Sequence, residues 1–321
     1  MRLASRIVEL IAAAIALLPV TSGISNAASV QDALGREVQI RDSSRIVSIG
    51  GAVTEILYAL GRADLIVGVD STSTHPVEAL KTKPNVGYFR QLSPEGVLSL
   101  GPSLILAAEG SGPKETVSVL EAASIPFVRI PDTYDGKGIV EKIKIVAAAT
   151  ESTDRGECLA RRVENELSSL AAIRQEIKSP ARVMFVMSFA GDKPMVAGRG
   201  TAADGLIKLA GGVNVFDGFE GYKIVNEEAV IGAAPDWVLG MQRPGLDMTA
   251  ADVFSKAAFS ATPAARRKQF LSMDGLYMLG FGPRTARAAG ELSRALYPNL
   301  NPNLTAGILP SQEDAATACK K

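Results

Sequence analysis

Residues 93–106 of this chain read SPEGVLSLGPSLIL and residues 226–239 read NEEAVIGAAPDWVL, one short plan repeated 133 residues later. Glu95 stands opposite Glu228, Val97 opposite Val230, Pro102 opposite Pro235 and Leu106 opposite Leu239. Each copy reads as a short helix, a proline and a buried strand. Just upstream, Gly87-Tyr88 is echoed by Gly221-Tyr222, one residue out of register. A chain that repeats one supersecondary plan at such a distance is expected to fold as two similar lobes.

The segments around the repeat agree. RIVSIG (45–50), LIVGVD (65–70), PSLILAA (102–108) and PFVRI (126–130) are short β-rich runs. Between them lie helical patterns: AVTEILYALG, ETVSVLEAAS and GIVEKIKIVAAAT. After Arg182 the order resumes with RVMFVM, GTAADGLIKLAGG, PDWVLGM, KQFLSM and a last helix, GPRTARAAGELSRALY. Strands alternating with helices imply a largely parallel sheet, and continuous apolar runs imply strands covered on both faces. Residues 152–180 carry Leu159, Val163, Leu167, Leu170, Ile173 and Ile177 at helical spacing with charges between them. A helix of about 25 residues reaches roughly 38 Å and suits a rigid connector better than a flexible linker. The expected fold is therefore α/β: two similar lobes with central, mostly parallel sheets, joined by a single long α-helix, with the ligand cleft between the lobes. The expected boundaries are a leader at 1–27, an N-terminal lobe at 28–151, a connecting helix at 152–179 and a C-terminal lobe at 180–321.

Composition narrows the function. Lys plus Arg and Asp plus Glu both number 34, so the chain lacks the basic excess of a sequence-independent nucleic-acid binder. One His (His75) and two Cys (Cys158, Cys319) cannot build a Cys/His zinc cluster. Arg2 and Arg6, the apolar run IVELIAAAIALLPV and the small residues ending at Ala27 read as a cleavable secretory signal peptide, with export to the periplasm. No cysteine stands beside the cleavage site, which argues against lipid attachment there. Cys158 lies in the helical pattern and Cys319 in the polar tail AATACKK, so two free thiols are expected.

None of the common nucleophile, phosphate-loop, dinucleotide or metalloprotease motifs occurs. His75, in THPVE, reads as a residue at a helix start. The informative run is VGYFRQLSPEG (86–96). In an extended backbone Tyr88 and Arg90 point to the same side. A guanidinium beside a phenol favours the phenolate, a hard oxygen ligand for ferric iron. The same residues also fit a half-buried loop tyrosine with Arg90 paired to a surface carboxylate. Ligands of open α/β sheets bind beyond the carboxyl ends of the strands. That places Arg243, in GMQRPG, at the cleft, with Tyr222 and Lys223 as the C-terminal echo of the ligand loop. Met195 and Met241 are candidates to cap a ligand or to fill core gaps.

GGAVTEILYALG, GYFRQLSPEGVLSLGPSLIL, TAADGLIKLAGGVN and FEGYKIVNEEAV together resemble the periplasmic haem-binding proteins of bacterial haem ABC importers. These belong to the rigid-helix class of solute-binding proteins, and the resemblance covers residues 45–297. It implies that haem is bound as transported ligand, that Tyr88 ligates the haem iron and that Arg90 supports its oxygen. It also implies that Glu95 and Glu228 dock on an inner-membrane ABC permease, one acidic residue from each lobe. The implied protein is a monomer with only transient contact to a membrane protein, no nucleic-acid partner and no catalysed reaction. The same scaffold fits a ferric siderophore or cobalamin as alternative ligands. A periplasmic enzyme working through carboxylates such as Asp132 or Asp135 is the more distant alternative, since PDTYDG reads more simply as a turn.

Overall fold

The computed structural model describes residues 28–243, 245–300 and Cys319; the leader expected at 1–27 lies outside the described residues. The chain opens with an antiparallel hairpin, β1 (Ala28–Gln31) and β2 (Glu37–Ile40). Arg36 ties this hairpin to the lobe that follows, bonding Asp32 within the hairpin and Glu121 beyond it at 2.8 Å. Next come β3 (Ile46–Ile49), α1 (Gly51–Ala59), β4 (Ile66–Val69), α2 (Glu78–Thr82), α3 (Pro94–Leu98), β5 (Leu104–Ala108), α4 (Lys114–Ala122), β6 (Phe127–Ile130) and α5 (Gly136–Ala149). The four strands pair in the order β4-β3-β5-β6, all parallel. Ile46, Val47, Leu104, Ile105 and Leu106 are fully buried, as continuous apolar runs require.

Helix α6 (Thr153–Glu176, 24 residues) follows and spans about 36 Å. It packs on α5 from the first lobe and on α13 (Thr285–Leu296) from the second. Leu159, Val163, Leu170 and Ile173 form its buried face. Arg287 of α13 reaches the buried Glu166 of α6 at 3.0 Å. The rod is thus fastened to both lobes, and one apolar cluster runs from Ile46 through Leu159 and Leu170 to Phe185 and Leu292.

The second lobe holds β7 (Arg182–Ala190), β8 (Lys193–Ala197), α7 (Ala202–Leu209), β9 (Val213–Asn214), β10 (Tyr222–Ile224), α8 (Glu227–Ala233), β11 (Trp237–Arg243), β12 (Leu246–Asp247), α9 (Ala250–Phe254), α10 (Ala257–Ser260), α11 (Pro263–Arg267), β13 (Phe270–Asp274), α12 (Gly275–Leu279) and α13. Its centre, β9-β7-β11-β13, is parallel. Strands β8, β10 and β12 add to it in antiparallel fashion, so this sheet is mixed where the first is uniform.

One expectation is overturned. Cys158 and Cys319 are joined in a disulfide, not free. Cys158 sits near the start of α6, the Cα atoms lie 5.8 Å apart, and Cys319 is buried against the helix. That spacing is within disulfide reach.

Candidate functional site

The lobes meet at the carboxyl ends of the first sheet. Tyr134, just past β6, stacks edge-on against Phe281 of the second lobe at 5.3 Å. Its carbonyl lies over Gly205 in α7, so close that a Cβ there has no room. A Cβ on Gly51 would stand 2.6 Å from Leu276 of α12. Glu55 of α1 accepts from Arg284 at 2.9 Å, although its other oxygen and the Arg284 Nε are buried without partners. These contacts close one side of the interlobe space.

The loop at 86–91 is held from both ends. Val86 N donates to Val69 O at 2.9 Å, and Ser71 N to Gly87 O at 2.8 Å. Gly87 has φ +94°, a conformation side chains disfavour. Tyr88 O accepts from Gln91 N at 2.7 Å, so Phe89 and Arg90 are the central residues of a turn. The expected extended run is therefore incorrect, and a two-residue spacing no longer puts Tyr88 and Arg90 on one side. Tyr88 is 41% exposed, edge-on to Phe89 at 5.0 Å. The Arg90 guanidinium lies 4.9 Å from the centre of the Phe89 ring, a cation–π contact.

Tyr222 opens β10 on the opposite wall, preceded by Gly221 at φ +75° just as Gly87 precedes Tyr88. Its ring stands edge-on to Phe185 at 6.4 Å. Burial pushes the Tyr222 phenol up to about 12, against the charge of Arg90 and the Thr201 hydroxyl, which pull the other way. Burial also raises the Tyr134 phenol, assisted by the Asp132 carboxylate and again opposed by Arg90. The Arg90 charge therefore acts on two tyrosines, one from each lobe. Arg90, Tyr134 and Tyr222 are thus brought within electrostatic reach of one another, while the side-chain contact of Tyr88 is Phe89.

The remaining expected residues fall as follows. Lys223 is exposed with its ammonium 4.8 Å from the Phe219 ring centre. Arg243 is exposed at the carboxyl end of β11. Met241 is buried against Gly275, a core contact, and Met195 lies in β8 opposite Ile224. His75 belongs to the seam: its charged neighbours are Arg284, Glu55, Asp274 and Glu78. Asp135 caps α5 through Gly138 N at 2.8 Å, as a turn residue does. Tyr134 was not singled out from the sequence; its signal was an aromatic residue just after a strand end, within PDTYDG. Glu95 and Glu228 are both exposed in the first turns of α3 and α8, behind the capping residues Ser93 and Asn226. The Ser93 hydroxyl donates to Glu95 at 2.7 Å and holds its carboxyl below the ordinary range. Among the described residues no three His, Cys, Asp or Glu side chains group as a metal site, and no helix is long and apolar enough to cross a membrane.

The family described as periplasmic binding protein matches residues 46–276. The solved periplasmic haem-binding protein RhuT of Roseiflexus sp. RS-1, in its apo form, is 39% identical. The match covers 80% of this chain and 99% of that one, with a TM-score of 0.75. The periplasmic haem-binding protein BhuT in complex with two haems is 36% identical over 84% of this chain and 100% of that one, with a TM-score of 0.74. The vitamin B12-binding protein of Vibrio vulnificus is 29% identical over 60% of this chain and 70% of its own length.

Proposed function

The chain belongs to the periplasmic binding protein family, and on that basis we propose that it captures haem in the periplasm and delivers it to an inner-membrane ABC permease. No reaction is catalysed. The exported protein begins at Ala28 once the leader is removed and works as a monomer. Its working parts are the lobe at 28–151, the connecting helix at 152–179 and the lobe at 180–321.

One observation carries the choice of iron ligand. Of the tyrosines around Arg90, Tyr134 and Tyr222 are half-buried, and desolvation raises both phenols above the ordinary range. Tyr88 is open, and its hydroxyl has no partner among the described residues. A phenolate oxygen that no other group holds is what ferric iron takes up. Arg90, Lys223 and Arg243 have no carboxylate partners among the described residues, and their charges suit the haem propionates and the Tyr88 oxygen. The porphyrin lies between the lobes on apolar surface. Glu95 and Glu228 present one carboxylate per lobe to basic residues on the two copies of a permease subunit.

The vitamin B12 relative supports a second reading, with cobalamin in the same cleft. An absorption titration of residues 28–321 with ferric haem separates the two. Saturable binding with a high-spin tyrosinate spectrum, lost in Tyr88→Ala and kept in Tyr222→Phe, is the expected result. A spectrum indifferent to Tyr88→Ala moves the ligand elsewhere, and no haem binding turns the reading to cobalamin.

A further inference from the structure

Lys142 is 1% exposed, on the apolar face of α5 with Ile139, Ile143 and Val146. Its ammonium donates to Asp132 Oδ1 at 2.6 Å. Asp132 Oδ2 accepts from the Tyr134 hydroxyl at 3.1 Å, so both carboxylate oxygens are engaged. The Asp132 amide donates to Glu109, past the end of β5, at 3.2 Å. A buried ammonium is costly, and an apolar pair of equal volume joins a helix to a strand end at least as well. Packing alone therefore gives no reason to keep a charge here.

The ligand loop lies alongside. Phe89 O accepts from Gly112 N at 2.9 Å, three residues beyond Glu109. The Arg90 carbonyl is 3.6 Å from the point where a Cβ on Gly112 would stand. Arg90 has no carboxylate partner among the described residues, and its charge acts on the same Tyr134 phenol that Asp132 holds. We propose that Lys142 is a positioning residue for the ligand loop: by occupying Asp132, it keeps that carboxylate from capturing Arg90 and leaves the guanidinium free to face the haem cleft. The inference rests on the haem reading above. Asp132 stripped of Lys142 is an uncompensated anion whose field reaches the same Tyr134 phenol as the Arg90 guanidinium, and pairing of those two would draw Arg90 off the Phe89 ring and away from the ligand.

The test is ferric-haem titration of wild type, Lys142→Met and the double variant Lys142→Met/Asp132→Asn, with a urea midpoint for each. Lys142→Met is expected to weaken haem binding about tenfold, the loss of one charge-assisted hydrogen bond. It is also expected to shift the tyrosinate-to-iron charge-transfer band. The double variant is expected to recover both, although the ion pair is still missing. A wild-type band and affinity in Lys142→Met overturn the proposal. A shifted band that the double variant leaves unrepaired assigns Lys142 to structure alone and overturns it equally. A wild type that binds no haem removes the haem reading, and the apo crystal structure of Lys142→Met then decides. Arg90 turned onto Asp132 upholds the capture; Arg90 unmoved refutes it.

Discussion

Gly205→Ala probes whether the lobe seam is as tight as the structure draws it. Gly205 lies inside α7, where alanine is favoured over glycine by about 0.5–1 kcal/mol. Helix propensity alone therefore makes the variant more stable. The seam opposes this. The new Cβ would stand 2.8 Å from Phe281 Cζ and 3.0 Å from Tyr134 Cβ, and it would press still harder on the Tyr134 carbonyl. Backbone at the floor of the opposite lobe must retreat by roughly 1 Å, and overpacking of this kind costs about 1–3 kcal/mol. The expected net effect is a loss of about 1 kcal/mol, with the Tyr134–Phe281 contact opened. Gly232→Ala is the control: it lies in α8 with nothing within 4 Å of its Cβ position, so only the helix gain of about 0.5–1 kcal/mol remains. Urea unfolding followed by circular dichroism reads both. Haem titration adds the functional side, because Tyr134 neighbours Arg90 and its displacement is expected to weaken binding in Gly205→Ala only. A Gly205→Ala protein as stable as Gly232→Ala, with unchanged haem affinity, refutes the tight seam.

Three further outcomes follow from single contacts. Reversing Glu95 and Glu228 together to Lys is expected to abolish haem transfer to permease-containing vesicles while haem binding stays intact, and undiminished transfer rules out the docking role. The Cys158–Cys319 disulfide closes a separation of 161 residues, for which chain entropy gives at most about 5 kcal/mol, so reductant is expected to lower the urea midpoint. An unchanged midpoint means that the bond contributes nothing to stability. The Arg129 hydrogen bonds, joined by Arg36 and opposed by burial, hold Glu121 below its ordinary value of 4.5; the stability they add is present above that pH and lost as pH falls below it toward the lowered value. Amide exchange in the β1–β2 hairpin is expected to quicken there in wild type, and the same response in Glu121→Gln excludes Glu121 as its cause.

The strands that the sequence announces are those buried on both faces. RIVSIG, PSLILAA and RVMFVM are continuous apolar runs because parallel strands under two helix layers have no polar side. The edge strands give no such signal. β10 is three residues long, and β8 has Pro194 as its second residue; both exist because their partners offer free backbone groups, a tertiary fact. Lys142 in EKIKIV reads as one of several lysines of an amphipathic helix, and only the fold turns it inward to Asp132. The Cys158–Cys319 pairing was illegible for the same reason, since 161 residues separate the two thiols along the chain. At the candidate site the sequence picks out residue types but not their backbone. Tyr88 and Arg90 stand out by chemistry, whereas the Tyr88–Gln91 turn that aims them depends on the neighbouring strand ends.

The repeat explains which duplicated residues keep a shared role. Glu95 and Glu228 both sit in first turns behind a capping side chain, both in water. Solvent treats them alike, so the pair remains chemically equivalent and suits a partner with two equivalent contacts. Tyr88 and Tyr222 also begin alike, each behind a positive-φ glycine. Their surroundings differ. Tyr222 is packed on Phe185 with its phenol raised by desolvation, while Tyr88 stays open. The two lobes thus carry one such tyrosine each, and they differ in exposure. On this argument, opening the pocket around Tyr222, for example with Phe185→Ala, brings its phenol nearer to ordinary acidity without creating a second ligand loop.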